Sequence, residues 1–161
     1  MTDTDLNYLE KNALWLIMDP WYPHPWKHDV VADPKINERS QAIIEKIVDY
    51  LPKLTHVKLS CPSKFPIHPA LAHIENYPNE TPGSLRADRL ITKYMDSHNL
   101  TDIVYIGFHL GRCIIRKESG AKMMSYYEKY KLYMKDDLVG RLITDDEEAM
   151  LAESAKWLTI I

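Results

Sequence analysis

The sequence predicts an α/β domain with three layers, in which helices cover both faces of a mostly parallel central sheet. Two short runs, 13–18 and 102–107, are apolar on both faces, as strands in the middle of a parallel sheet are. Helical and strand patterns then alternate along the chain, which is typical of this fold class. The length of 161 residues fits one domain spanning 1–161.

The first half of the chain supplies two strands and one long helix. Run 13–18 is the first strand, with a short buried helix as the alternative interpretation. Three prolines between 20 and 25 predict a rigid aromatic loop after it. Asp33 as N-cap and Pro34 in the first turn predict a helix that ends before Pro52. The second strand covers 54–60 by its alternating pattern.

The second half continues the alternation after a proline-rich stretch. Residues 61–83 contain five prolines and predict a loop, with one short element near 70–74. Thr81 and Pro82 open a helix that ends near His98. The remaining predicted elements are a strand over 102–107, a helix over 111–129, a weak strand over 130–134, a helix from a capping box at 144–147 to about 156, and a last strand over 157–161.

Composition excludes several classes of protein. Lys and Arg number 20 against 23 Asp and Glu, so a dedicated nucleic-acid-binding protein is not expected. No apolar run reaches the roughly 18 to 20 residues that span a membrane, and the acidic start is not a secretory signal. Cys61 and Cys113 are too few for a disulfide framework, so we expect a cytoplasmic protein with free thiols and no nucleic-acid or membrane partner.

Two residues at predicted strand ends are candidates for chemistry. Ligands of parallel sheets bind at the carboxyl ends of strands, and Asp19 directly follows the first strand. Cys113 comes six residues after Gly107, at the start of a predicted helix. A helix dipole there would lower the pKa of the thiol, and free N–H groups could hold an oxyanion. The alternatives are a structural cysteine and an aspartate that satisfies backbone N–H groups.

These segments resemble the isochorismatase-like cysteine hydrolases, which include nicotinamidases. The apolar strand that ends at Asp19 and the Gly-apolar-x-x-x-x-Cys segment 107–113 are similar to that family, and the order of elements agrees along nearly the whole chain. The resemblance implies Cys113 as nucleophile, Asp19 as base, and an oxyanion hole of N–H groups between Leu110 and Cys113, shaped by a cis peptide. It also implies a catalytic lysine before the helix that precedes the Cys strand.

That lysine is missing from its expected place, since 73–77 contains none. We assign the role to Lys64, which follows the second strand, with Lys58 and Arg112 as alternatives. A cation there would depress the pKa of the thiol and stabilise the oxyanion.

The substrate-facing positions are assigned to four bulky side chains near the two strand ends: Trp21, Phe108, His109 and Leu110. Nicotinamidases of the family bind a metal through Asp and His residues after the second strand. His68 and His73 fall near that place without an Asp-x-His motif, so no metal and no cofactor is predicted.

The sequence leaves two functional hypotheses. The first is hydrolysis of a C–N or related bond in a small metabolite by the Cys113 thiolate. The second is a non-catalytic protein on the same fold that binds a small molecule or acts as a structural partner. Spare aromatic surface at Trp21, Tyr22 and Trp26 also predicts a homo-oligomer.

Overall fold

A computed structural model describes residues 1–79 and 86–161 and shows a five-stranded parallel sheet between two layers of helices. The predicted α/β class is confirmed. The strands are β1 (Ala13–Met18), β2 (His56–Ser60), β3 (Asp102–Phe108), β4 (Lys131–Gly140) and β5 (Thr159–Ile160). The helices are α1 (Asp3–Asn12), α2 (Lys27–Ala32), α3 (Ile36–Tyr50), α4 (Ala87–Ser97), α5 (Cys113–Arg116), α6 (Ala121–Ser125) and α7 (Glu147–Ala155).

The sheet has the order β2-β1-β3-β4-β5, and every neighbouring pair is parallel. Strands β1 and β3 are buried along their whole length, in agreement with their apolar character on both faces. Met18 aligns with Ser60 on one side and with Gly107 on the other. The residues that follow these three positions therefore emerge at the same edge of the sheet.

The alternation of side chains along β1 divides the interior into two cores. Leu14, Leu16 and Met18 face a core that includes residues of α4, α5 and α6. Trp15 and Ile17 face the opposite core, which is built mainly on α3. Successive side chains of a strand point to opposite faces, so an entirely apolar strand can serve both cores.

Helix α1 has no counterpart among the predicted elements. It begins with a reciprocal cap, in which the Thr2 hydroxyl accepts from the Asp5 N–H at 3.2 Å and the Asp5 carboxylate accepts from the Thr2 N–H at 3.0 Å. This is a capping box with Asp in place of the usual Glu or Gln. None of the described helices has the length and apolar character needed to span a membrane.

The single helix predicted over 111–129 is wrong, because the structure has two short helices, α5 and α6, in its place. The backbone between α5 and α6 is held against the sheet by hydrogen bonds. Tyr105 donates a hydrogen bond to the Ser119 carbonyl at 2.9 Å, and the Ser60 hydroxyl donates to the Ser119 hydroxyl at 2.8 Å. Gly120 packs so tightly that a Cβ would lie 2.7 Å from the Ile115 carbonyl oxygen. Tertiary contacts thus override the local helical pattern.

Several helix and strand boundaries in the structure also differ from those predicted. Helix α3 begins at Ile36, and Asp33 accepts from the Lys35 N–H at 3.2 Å without capping the helix. Helix α7 is capped by Asp146, which accepts from the Ala149 N–H at 3.1 Å, and not by Thr144. Strand β4 extends six residues beyond the predicted 130–134. The helix start predicted at Thr81 and Pro82, with Leu85 on its apolar face, lies outside the described residues.

Any side chain at position 107 should destabilise the protein. The φ of Gly107 is +99°, and a Cβ there would lie 2.8 Å from the Met18 nitrogen and closer still to the Met18 carbonyl oxygen. We expect Gly107→Ala to lower the free energy of unfolding by about 3 kcal/mol, since both the backbone conformation and the strand contact oppose it. Urea denaturation measures this change.

The matched control is Gly111→Ala. Gly111 has φ +68°, and its Cβ would meet first the flexible Met150 sulfur. A cost of about 1 to 2 kcal/mol is expected, from the left-handed backbone and from a small shift of Met150, whose Cβ and Cα would lie 3.0 and 3.1 Å away. Equal costs for the two variants would contradict the importance of the contact between Gly107 and Met18.

Candidate active site

Asp19 lies at the carboxyl end of β1 and is only 2% exposed. Its backbone turns into the left-handed region, with φ 45°, and its N–H donates to the Ser60 carbonyl at 3.2 Å. Neither carboxylate oxygen has a partner in hydrogen-bond geometry among the described residues. The carboxylate at the end of β1 is therefore buried with oxygens that accept no hydrogen bond, which is rare for an aspartate with a purely structural role.

Lys117 is the cation beside this carboxylate. Its Nζ lies 3.7 Å from Asp19 Oδ2 and 5.7 Å from the centre of the Trp21 ring. The position follows Cys113 by four residues, and the Lys117 N–H donates to the Cys113 carbonyl at 3.3 Å. Lys117 directly follows the last residue of α5 and lies one helical turn after Cys113, so the turn brings thiol and ammonium to the same side.

Cys113 is the first residue of α5 and is half-buried. Burial raises the pKa of its thiol well above the ordinary range, and the charge of the neighbouring Asp19 carboxylate and its contact with the thiol raise it further. Lys117 and the backbone of His109 oppose this shift without cancelling it. The lowered thiol pKa expected from a helix dipole is therefore not found, because α5 has only four residues and burial, followed by the Asp19 charge, outweighs its dipole.

The pKa of Asp19 is also raised, mainly by burial. Lys117 counteracts this shift most strongly, and the Cys113 thiol and the Asn79 amide add smaller effects. Burial disfavours the charged form, so this carboxylate is a stronger base than an exposed aspartate. The arrangement is a protonated thiol beside a carboxylate of enhanced basicity, with a cation within reach of both.

Within 107–113, the backbone N–H groups that do not already donate to an acceptor are the candidates for an oxyanion hole. The Leu110 N–H donates to the Gly140 carbonyl at 2.9 Å, and the Arg112 N–H donates to the His109 carbonyl at 3.1 Å. The N–H groups of Gly111 and Cys113 have no such acceptor in the described parts of the chain. The peptide bond between Phe108 and His109 is cis.

The cations assigned from sequence lie elsewhere. Lys64 is exposed, and its Nζ lies 5.1 Å from the centre of the Phe65 ring. Lys58 forms an ion pair with Glu75 at 2.6 Å, and Arg112 forms two hydrogen bonds with Asp145. The signal that could have identified Lys117 is its spacing of four residues from Cys113 within a predicted helix.

The four predicted substrate-facing side chains are separated in the structure. Trp21 is 5% exposed and lies near Lys117, with its ring 4.8 Å from that of Phe65. Phe108 and His109 line a cavity of about 440 Å³, and Leu110 lines a second of about 260 Å³. Asp19 and Cys113 line neither cavity. Of the four, Trp21 alone lies beside the cation.

His68, one of the two histidines weighed as metal ligands, does not fit that role. The Nε2 atom of His68 lies 2.7 Å from the Gln41 carboxamide, and its Nδ1 accepts from the Ala70 N–H at 3.1 Å. Both ring nitrogens are therefore engaged. The two described segments contain no group of three His, Cys, Asp or Glu side chains that could hold a metal ion.

No protein-family model and no curated protein matches this sequence. Solved structures do match its fold. An isochorismatase-like hydrolase from Alkaliphilus metalliredigens superposes with a TM-score of 0.61 at 11% identity, covering 93% of this chain and 94% of that one. Yeast nicotinamidase, solved with the inhibitor nicotinaldehyde, gives a TM-score of 0.60 at 12% identity, with 94% and 99% covered.

A third similar structure is the YcaC protein of Escherichia coli, described as an octameric hydrolase of unknown specificity. It gives a TM-score of 0.58 at 10% identity and covers 93% of this chain and 74% of its own. Likeness at these identities shows architecture and no more. The chain therefore has the isochorismatase-like fold.

Proposed function

We propose that this protein is a cysteine hydrolase that cleaves a C–N or related bond in a small metabolite, with Cys113 as the nucleophile. One observation carries the proposal. At the shared edge of β1 and β3, a 2% exposed carboxylate without a hydrogen-bond partner lies against a thiol and 3.7 Å from an ammonium group. A buried charge left this incompletely satisfied costs stability, and such groups concentrate at sites of chemistry.

The first step follows from the raised pKa values. Cys113 is protonated at rest, so Asp19 takes its proton as the sulfur attacks the substrate carbonyl carbon. The new C–S bond displaces the carbonyl π electrons onto oxygen. The N–H groups of Gly111 and Cys113 are free to donate to that oxyanion.

The later steps return the proton and consume water. Protonated Asp19 gives its proton to the leaving nitrogen as the C–N bond breaks, which leaves a thioester on Cys113. Asp19 then removes a proton from water, which attacks the thioester and releases an acid and the free thiol. Lys117 favours the ionised form of Asp19 and adds positive charge near the reacting oxygen.

A non-catalytic protein that binds a small molecule on this fold is the second candidate. The observation in its favour is that Phe108 and His109 line a cavity to which Asp19 and Cys113 do not contribute. Ammonia release from nicotinamide and other small amides, with Cys113→Ala as the control, distinguishes the two. Hydrolysis that survives in Cys113→Ala, or is absent with every amide, would favour the second candidate.

Removing the charge of Lys117 should change both the pKa of the Cys113 thiol and the rate of hydrolysis, and Lys64 offers a matched control. Lys117→Met keeps most of the stem and removes the charge that lowers the pKa of Cys113. We expect the thiol pKa to rise further and hydrolysis to fall more than about tenfold, or about 1.4 kcal/mol. Alkylation by iodoacetamide over a pH series measures the pKa. Lys64→Met should change neither quantity, and an equal effect of both variants would remove Lys117 from the site.

Asp19→Asn should separate thiol reactivity from catalysis. The Asp19 charge and its contact with the thiol both raise the pKa of Cys113, so the amide should lower that pKa and speed alkylation. Hydrolysis should nevertheless be lost, because the base is gone. Cys61 is fully buried, and burial raises its pKa to about 12, so its labelling serves as the internal reference. Slower alkylation of Cys113 in this variant would contradict the assignment.

The same variant should stabilise the fold at neutral pH. Folding raises the pKa of Asp19, so the ionised carboxylate destabilises the protein as pH rises past the unfolded value of about 4. Asparagine is neutral at every pH and removes that cost. Thermal unfolding near pH 7 should therefore show a higher Tm for Asp19→Asn than for the natural chain.

We also propose that the chain forms at least a dimer. Of the three aromatic side chains expected to drive this, Trp21 is buried, Tyr22 is half-buried and Trp26 is 40% exposed. Support comes instead from exposed Val31 and Ile143, and from the octamer described for the similar YcaC protein. Light scattering at micromolar concentration should give at least twice the 18.8 kDa of one chain, and a stable monomer would refute the proposal.

A further inference from the structure

We propose that the cavity between α3 and the carboxyl half of β4 is a separate binding site for a small carboxylate with an apolar body. The cavity has a volume of about 440 Å³, within the range of small-molecule pockets. Asp19, Lys117 and Cys113 do not line it, so the site does not depend on the proposed hydrolase chemistry.

The floor of the cavity is apolar. Its apolar lining comes from both walls and consists mainly of Ile36, Ile43, Phe108 and Val139. Phe108 is held over β4 because Gly140 has no side chain, and a Cβ at that position would overlap the Phe108 ring. The floor is therefore built by packing, and it favours an aromatic or branched aliphatic group.

His109 supplies a polar group at this floor. It is 7% exposed, and its ring nitrogens have no hydrogen-bond partner in the described parts of the chain. Burial lowers its pKa to about 3, so the ring is neutral and offers one donor and one acceptor. A ligand oxygen in the cavity can therefore accept the N–H of this neutral ring.

The charges around the mouth leave one cation unmatched. The described ion pairs there are Asp137 with Lys135 at 2.7 Å, Asp33 with Arg39 at 3.3 Å, and Arg141 with both Asp136 at 2.5 Å and Glu147 at 2.9 Å. Lys46 lines the cavity and forms no ion pair with any described residue. The lining itself carries the cations Arg39, Lys46 and Arg141 against the carboxylates Asp136 and Asp137, and this excess of positive charge favours an anionic head group over a neutral or cationic one.

The test uses 2-naphthoate as the probe and ¹H–¹⁵N NMR of the full chain as the readout. Naphthoate should shift the amide signals of Ile43 and Gly140 and the ring signals of His109, with millimolar or tighter affinity. Lys46→Met should weaken binding about threefold, whereas Lys93→Met, at an exposed lysine of α4, should not. Ala42→Trp, at an exposed position of the lining, should abolish binding by filling the mouth.

The neutral analogue 2-naphthamide tests the requirement for a carboxylate. It is compared with naphthoate in the Cys113→Ala variant, so that hydrolysis of the amide cannot intervene. Weaker binding of the amide supports the proposal. Equal binding of the two probes, shifts confined to other surfaces, or unchanged affinity in Ala42→Trp would each overturn it, whatever the outcome for hydrolysis.

Discussion

The close approach of β3 to β1 at Gly107 sets the geometry on which the candidate site depends. Gly107 pairs with Met18, the last residue before Asp19, and no side chain separates the two backbones. Asp19 and 109–113 leave the sheet side by side for this reason. A Cβ at this contact would force the strand ends apart, and a shift of about 1 Å is enough to disrupt catalytic geometry.

The charge of the Asp19 carboxylate at this edge of the sheet is only partly compensated by its surroundings. Asp19 is buried without hydrogen-bond partners, and the Lys117 ammonium is near enough to favour its charge but too far for a hydrogen bond. Natural proteins retain such unfavourable groups where function needs them, at some cost in stability. Burial is the main cause of the raised pKa values of both Asp19 and Cys113, and the Asp19 charge raises the pKa of Cys113 further.

Local patterns predicted the parts of the fold that depend on local chemistry. The apolar runs gave β1 and β3, and their ends placed Asp19 and the segment leading to Cys113 at one edge of the sheet. The spacing of Lys117 from Cys113 is visible in the sequence, but the resemblance implies a lysine upstream of β3 instead. The break between α5 and α6 depends on Ser119, whose partners Ser60 and Tyr105 are distant in sequence. Side-chain direction at Phe108 likewise depends on Gly140, and no local pattern encodes that contact.

Cys113 begins α5 and Lys117 directly follows its last residue, so one short helical turn positions both side chains. The helix is four residues long, and the Lys117 N–H closes its last turn on the Cys113 carbonyl. A helix this short has little stability of its own and depends on the contacts that hold its ends. One local opening event would therefore withdraw the thiol and the cation from Asp19 together. Burial and Asp19 are what raise the pKa of Cys113, so such an opening would expose the thiol and move its pKa back toward the ordinary range. Oxidation of Cys113 would therefore depend on how often this turn opens.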